Sequence, residues 1–186
     1  MKHSVSTAAL AACASLCLAQ PAWADNSLIT VEQIGGASTA TVTQNGPAKV
    51  ALVYQNGGGN QATVSQTTFS GGYVDLDTTG NGNVAHVTQA GELFAVSSNT
   101  ATLTQSGDHN TLDLVQDAWA GSLNSVTVHQ SGNDNFANLR QTGADNDLAL
   151  TQDYGTNWAE ITQTGINQSI AVTQAGGASV TISQTQ

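Results

Sequence analysis

The chain has 186 residues, of which only 9% are charged, with 3 Lys or Arg against 13 Asp or Glu and a formal charge of −10. That acidic balance repels phosphate backbones and argues against nucleic acid as a partner. Abundant Gly, Asn, Gln, Ser and Thr is compatible with a disordered or prion-like tract, and only order in their spacing argues otherwise.

Lys2 and His3 precede a small apolar run from Ala8 to Ala19, followed by Pro21 and Ala22-Trp23-Ala24. This reads as a signal peptide over residues 1–24, leaving a mature chain of 25–186. The run is too short to span a bilayer of about 30 Å, and no later stretch reaches the ~20 apolar residues of a transmembrane helix. Leu10-Ala11-Ala12-Cys13 also fits a lipoprotein box, disfavoured because the apolar run before Cys13 is very short. Both cysteines, Cys13 and Cys17, lie in the leader, so no disulfide is expected in the mature chain. It keeps Lys49 and Arg140 against 13 acids, a formal charge of 2 − 13 = −11.

From there the sequence repeats. Glutamines stand at Gln33, Gln44, Gln55, Gln66, Gln89, Gln105, Gln116, Gln130, Gln141, Gln152, Gln163, Gln174 and Gln184, mostly 11 apart, with Thr78 filling the one double interval. Two residues before each slot stands Val, Ile or Leu, and four before stands Ala, Val, Ile or Leu. Six before, Asn recurs at Asn60, Asn83, Asn99, Asn110, Asn124, Asn135, Asn146 and Asn157. Even spacing is the period of a β-strand and places Asn, two aliphatics and Gln on one face. The residues between, such as Thr41 and Thr43, face outward. Gly two residues after most slots, as at Gly35, Gly57 and Gly80, supplies the turn.

Two strand–turn units make one flat rung, and a rung alone cannot bury its aliphatic face. The expected fold is therefore all-β: a β-solenoid of about seven two-strand rungs, near residues 27–46, 49–68, 72–91, 99–118, 124–143, 146–165 and 168–186, stacking into cross-β. At ~4.8 Å per rung the stack would be roughly 34 Å tall. Inward Gln and Asn of successive rungs are expected to form amide ladders through Gln33 to Gln184 and through Asn60, Asn83, Asn110, Asn135 and Asn157. The 16-residue interval before Gln105 and the 14-residue interval before Gln130 place longer loops around Glu92-Leu93-Phe94 and at Trp119 and Gly121.

These residues resemble the curlin repeat, in which Ser, five residues, Gln-x-Gly, two residues, Asn-x-Ala, three residues and Gln follow in order. Ser27, Gln33, Gly35, Ala40 and Gln44 match it, with Ser38 in place of Asn. So do Gln55, Gly57, Asn60, Ala62 and Gln66, and Gln130, Gly132, Asn135, Ala137 and Gln141. The resemblance covers essentially the whole mature chain. It implies a subunit of a secreted, self-assembling amyloid fibre, major-subunit-like in its acidic balance, whose partners are copies of itself, a nucleator subunit and outer-membrane secretion machinery. Such subunits usually carry a Gly-rich address segment, whereas here the first rung begins at Ser27, directly after the leader.

The terminal-rung residues Gln33, Gln44, Gln174 and Gln184 are the expected assembly contacts, since their partners must come from another molecule. Asp75, Asp77, Asp145 and Asp147 are the expected gatekeepers against premature stacking. His86, His109 and His129 sit in different rungs without metal-ligand spacing, so neither a metal nor another cofactor is expected. No nucleophile elbow, phosphate loop or Cys-His set occurs, and an enzyme is not expected. The aromatics Tyr54, Phe69, Tyr73, Phe94, Trp119, Phe136, Tyr154 and Trp158 show no ladder at a fixed slot. The alternative is a monomeric β-solenoid that binds a repeating surface such as ice, or an adhesin stalk. Outward Thr-x-Thr pairs favour it, but the same slots elsewhere hold Asp75 and Asp77, Leu52 and Tyr54, or Asn138 and Arg140.

Overall fold

The computed structural model describes residues 4–9 and 15–19 as backbone, and residues 26–67, 71–91 and 97–186 with side chains. Every regular element among them is a strand: β1 (Ser4–Ala9), β2 (Ser15–Ala19), β3 (Leu28–Ile34), β4 (Thr39–Gln44), β5 (Val50–Asn56), β6 (Gln61–Gln66), β7 (Tyr73–Thr79), β8 (Val84–Gly91), β9 (Ser98–Ser106), β10 (Thr111–Ala118), β11 (Leu123–Ser131), β12 (Phe136–Ala144), β13 (Asp147–Asp153), β14 (Trp158–Ile166), β15 (Ser169–Ala175) and β16 (Ser179–Thr185). Odd-numbered strands form one parallel sheet in chain order and even-numbered strands the other. From β3 onward each consecutive pair is one turn of a β-solenoid, seven turns in all. The backbones of β1 and β2, within the expected leader, add in parallel to β3 and β4.

The inward faces carry the aliphatic positions. Ile29, Val31, Ala40 and Val42 in the first rung, and Leu148, Leu150, Ala159 and Ile161 in the sixth, are almost wholly buried. The core is one aliphatic layer per sheet, and its bulk varies from rung to rung: Ala51, Val53, Ala62 and Val64 fill the second, and Leu148, Leu150, Ala159 and Ile161 the sixth.

Register is uniform. Gln33 lies under Gln55, Gln55 under Thr78, Thr78 under Gln105, and Gln105 under Gln130. The 16- and 14-residue intervals therefore change only turns and leave the columns aligned. The loop around Glu92-Leu93-Phe94 lies outside the described residues, as do Phe69 and Cys13. Trp119 does occupy a turn, where its N–H donates to the carbonyl of Gly143 at 3.0 Å.

The turn glycines meet a second constraint beyond positive φ. Gly80 has φ +118°, and a Cβ built on it would lie 1.9 Å from the carbonyl oxygen of Gly107 in the next rung; at Gly57 the corresponding distance to Gly80 is 2.0 Å. Backbone carbonyls of the adjacent rung occupy the space, so no rotamer change relieves the clash. Gly80→Ala is expected to destabilise the fold by about 2 kcal/mol or more, combining left-handed strain with overpacking. A shift in the denaturant midpoint of the mature chain measures this, with Gly121→Ala as the comparison, because that glycine has nothing within 4 Å of a built Cβ.

Candidate functional site

A Gln side chain pointing into an aliphatic core must satisfy its amide there, and the next rung supplies the group in register. In the even-numbered sheet, Gln44 Nε2 donates to Gln66 Oε1 at 2.8 Å, Gln66 to Gln89 at 2.8 Å, Gln89 to Gln116 at 3.0 Å, Gln116 to Gln141 at 3.1 Å and Gln141 to Gln163 at 3.0 Å. In the odd-numbered sheet, Gln105, Gln130, Gln152 and Gln174 form a second run at 3.0, 2.9 and 2.9 Å. Gln33 and Gln55 form a separate pair 2.6 Å apart.

Most of these amides also tie the two sheets together. Gln66 Nε2 donates to the Val50 carbonyl at 3.2 Å, Gln141 to Ser125 at 3.0 Å and Gln174 to Trp158 at 2.9 Å, each reaching a carbonyl near the start of the strand preceding its own. Turning the Gln55 amide over would give it the same cross-sheet bond, to Thr39 at 3.2 Å, but would set its nitrogen against Gln33 Nε2 and break the bond between them. Sequence periodicity did not reveal this second bond, because it depends on how closely the sheets approach.

The asparagines run with the opposite polarity. Asn110 Nδ2 donates back to Asn83 Oδ1 at 3.1 Å, Asn135 to Asn110 at 3.0 Å and Asn157 to Asn135 at 2.9 Å, while Asn60 and Asn83 are joined at 3.3 Å. The same Oδ1 atoms accept the backbone N–H of the following rung, as from Asn110 N to Asn83 at 2.9 Å. In the first rung Ser38 does this work with a shorter side chain, donating to the Gly57 carbonyl at 3.1 Å and accepting Asn60 N–H at 3.2 Å. A third column runs along the exposed turns, where Gly58 N–H meets Asn81, Asn81 N–H meets Asp108 and Asp108 N–H meets Asn133, at 2.7 to 2.9 Å.

Two positions interrupt the pattern. Thr78, in a Gln slot, is too short to bridge: its Oγ1 and the Oε1 of Gln105 above it are both buried without a partner. Lys49 occupies an Asn slot, six before Gln55, and is fully buried with its Nζ 3.4 Å from the Pro47 carbonyl. Burial lowers its pKa to about 8. At the far end Gln184 Oε1 has no partner among the described residues, and Val172, Val180 and Ile182 are only partly covered.

The acidic residues are placed differently from one another. Asp75 and Asp77 lie on the outer face of β7, where Asp75 accepts the Tyr73 hydroxyl at 3.3 Å. Burial, then the Asp75 charge, push the Tyr73 phenol up. Asp147 is exposed at the start of β13, whereas Asp145 lies in a turn and accepts Leu123 N–H at 3.1 Å. One expectation is corrected: Phe136 and Trp158 share a slot in successive rungs, directly after Asn135 and Asn157, and stack with centroids 4.0 Å apart. Their shared offset from Asn was the missed signal. Among the described residues no group of three His, Cys, Asp or Glu is placed to hold a metal, and no helix is long and apolar enough to cross a membrane.

Replacing Thr78 by Gln is expected to close the gap and raise stability by about 1 kcal/mol, measured by denaturant unfolding. Lys49 generates a pH effect with a definite sign. Its folded pKa is near 8 and its ordinary value is 10.5, so between them the unfolded chain binds more protons and stability rises with pH. Lys49→Asn should raise the unfolding midpoint at pH 7 and flatten its rise from pH 8 to 10.

The family model described as curlin associated repeat matches residues 37–67, 120–143 and 143–176. No curated protein and no solved structure matches the chain.

Proposed function

Since the chain belongs to the curlin repeat family, whose members are extracellular fibre subunits rather than enzymes, we propose that it is a secreted structural subunit of a curli-type amyloid fibre. It acts in biofilm matrix, surface adhesion and cell aggregation by stacking its seventh rung on the first rung of the next copy. The observation that carries this reading is the polarity of the glutamine columns. Inside the chain, Nε2 of one rung donates to Oε1 of the rung above; Gln33 Oε1 at the first rung has no partner. A second copy set on Gln174 and Gln184 brings Gln33 and Gln44 over them in register with both columns. It also covers the half-exposed Val172, Val180 and Ile182 and pairs the free edges of β15 and β16.

Removal of residues 1–24 belongs to this reading, because β1 and β2 pair with the edges of β3 and β4 that the previous copy would use. A nucleator subunit and outer-membrane secretion machinery are the further partners. Asp75, Asp77, Asp145 and Asp147 contribute to the repulsion that delays stacking, with Asp145 also bonded within its turn.

Mature chain should form fibres after a lag, with reflections near 4.7 to 4.8 Å and ~10 Å; persistent monomer at micromolar concentration overturns the reading. Within fibres, Gln33→Ala/Gln44→Ala should slow seeded elongation about tenfold or more, from ~1 to 3 kcal/mol per unsatisfied amide. Gln130→Ala/Gln141→Ala should instead lower the stability of the subunit and slow elongation less. Equal elongation rates for the two double variants would refute control at the rung ends.

A further inference from the structure

The turn between β13 and β14 breaks the repeat at one residue. Where Gly132 and Gly165 stand two residues after their glutamines, Tyr154 stands after Gln152, with a left-handed backbone at φ +73°. Its side chain is 85% exposed, the most exposed large hydrophobic residue described, and its hydroxyl makes no hydrogen bond among the described residues. A β-carbon strains this conformation and a bare aromatic ring forgoes burial, yet no contact among the described residues offsets either cost. A strained position kept for a side chain that does nothing for its own fold points to use by something outside it.

Beside the ring lies an open recess of about 440 Å³ lined by Ser131, Gly132, Asp153 and Tyr154. A Cβ on Gly132 would lie 2.6 Å from the Tyr154 carbonyl carbon, so the floor has to be glycine. An aromatic, a hydroxyl and an acidic residue thus line one shallow, water-accessible surface.

We propose that this recess is a saccharide subsite for a neutral polysaccharide. The C–H face of a pyranose packs on the Tyr154 ring, and its hydroxyls donate to the Asp153 carboxylate and exchange hydrogen bonds with Ser131. A chain with 13 acids against 3 cations repels anionic polymers, which selects an uncharged glycan. An open recess of this size holds one or two sugar rings and binds weakly. On the fibre reading it recurs every seven rungs, roughly 34 Å, and a long glycan then gains avidity.

The test is co-sedimentation of wild-type, Tyr154→Phe and Tyr154→Gly fibres with hydroxyethyl cellulose, with alginate as the anionic control and choline as competitor. Wild type and Tyr154→Phe should retain the glucan, and Tyr154→Gly should lose at least tenfold while its unfolding midpoint holds or rises, since glycine relieves the backbone. Equal retention by Tyr154→Gly, absence of binding by wild type, equal capture of alginate, or displacement by choline, which would mark a cation site, overturns the proposal. Chemical-shift titration of monomeric chain with cellotetraose reads the same subsite without fibres, so failure of the fibre reading leaves this one still decided: loss of the Tyr154-turn shifts in Tyr154→Gly supports it, and no wild-type shift there refutes it.

Discussion

Everything in this molecule depends on one constraint: an amide that points into a dry, two-layer core must find its partner in the next rung. Parallel strands could pair at several registers on backbone bonds alone, and aliphatic faces tolerate a slip of two residues. Buried amides do not, because a slip leaves both a donor and an acceptor unsatisfied on every rung. The glutamine and asparagine columns therefore fix the stack, and the cross-sheet bonds from most of the Nε2 atoms fix how the two sheets face one another.

Seen this way, the irregularities fall into two kinds. Those outside the columns are harmless: the longer intervals before Gln105 and Gln130 lengthen turns without shifting a single partner. Those within the columns are either compensated or not. Ser38 replaces an asparagine and keeps both of its bonds, because a hydroxyl can donate and accept. Thr78 keeps neither, and Lys49 brings a cation into a site built for a neutral amide. Local stability is expected to be lowest in the second and third rungs, where these two positions lie close together.

The arrangement also separates assembly from surface chemistry. Inward positions and rung ends are nearly uniform along this chain and suit only another rung with the same spacing. Outward strand positions vary freely between Thr, Asp, His, Tyr and Arg, since they face solvent and contribute little to register. A solenoid built in this way can carry side chains for binding on its surface, the role proposed for Tyr154, without altering how its rungs stack.

The strand period, the rung count and the inward faces were legible in the sequence, because period-2 alternation and an 11-residue interval are direct consequences of strand geometry and of flat rungs. What the sequence could not decide depended on distances across the fold. The opposite polarity of the Gln and Asn columns, the reach of most Gln side chains to the facing sheet, the carbonyl that seals the space beside Gly80, and the stacking of Phe136 on Trp158 all arise from atoms about 20 residues apart brought within 4 Å. Lys49 shows the difference most plainly: its place six residues before Gln55 could be counted along the chain, but that the slot closes over a lysine and lowers its pKa follows only from the rungs on either side.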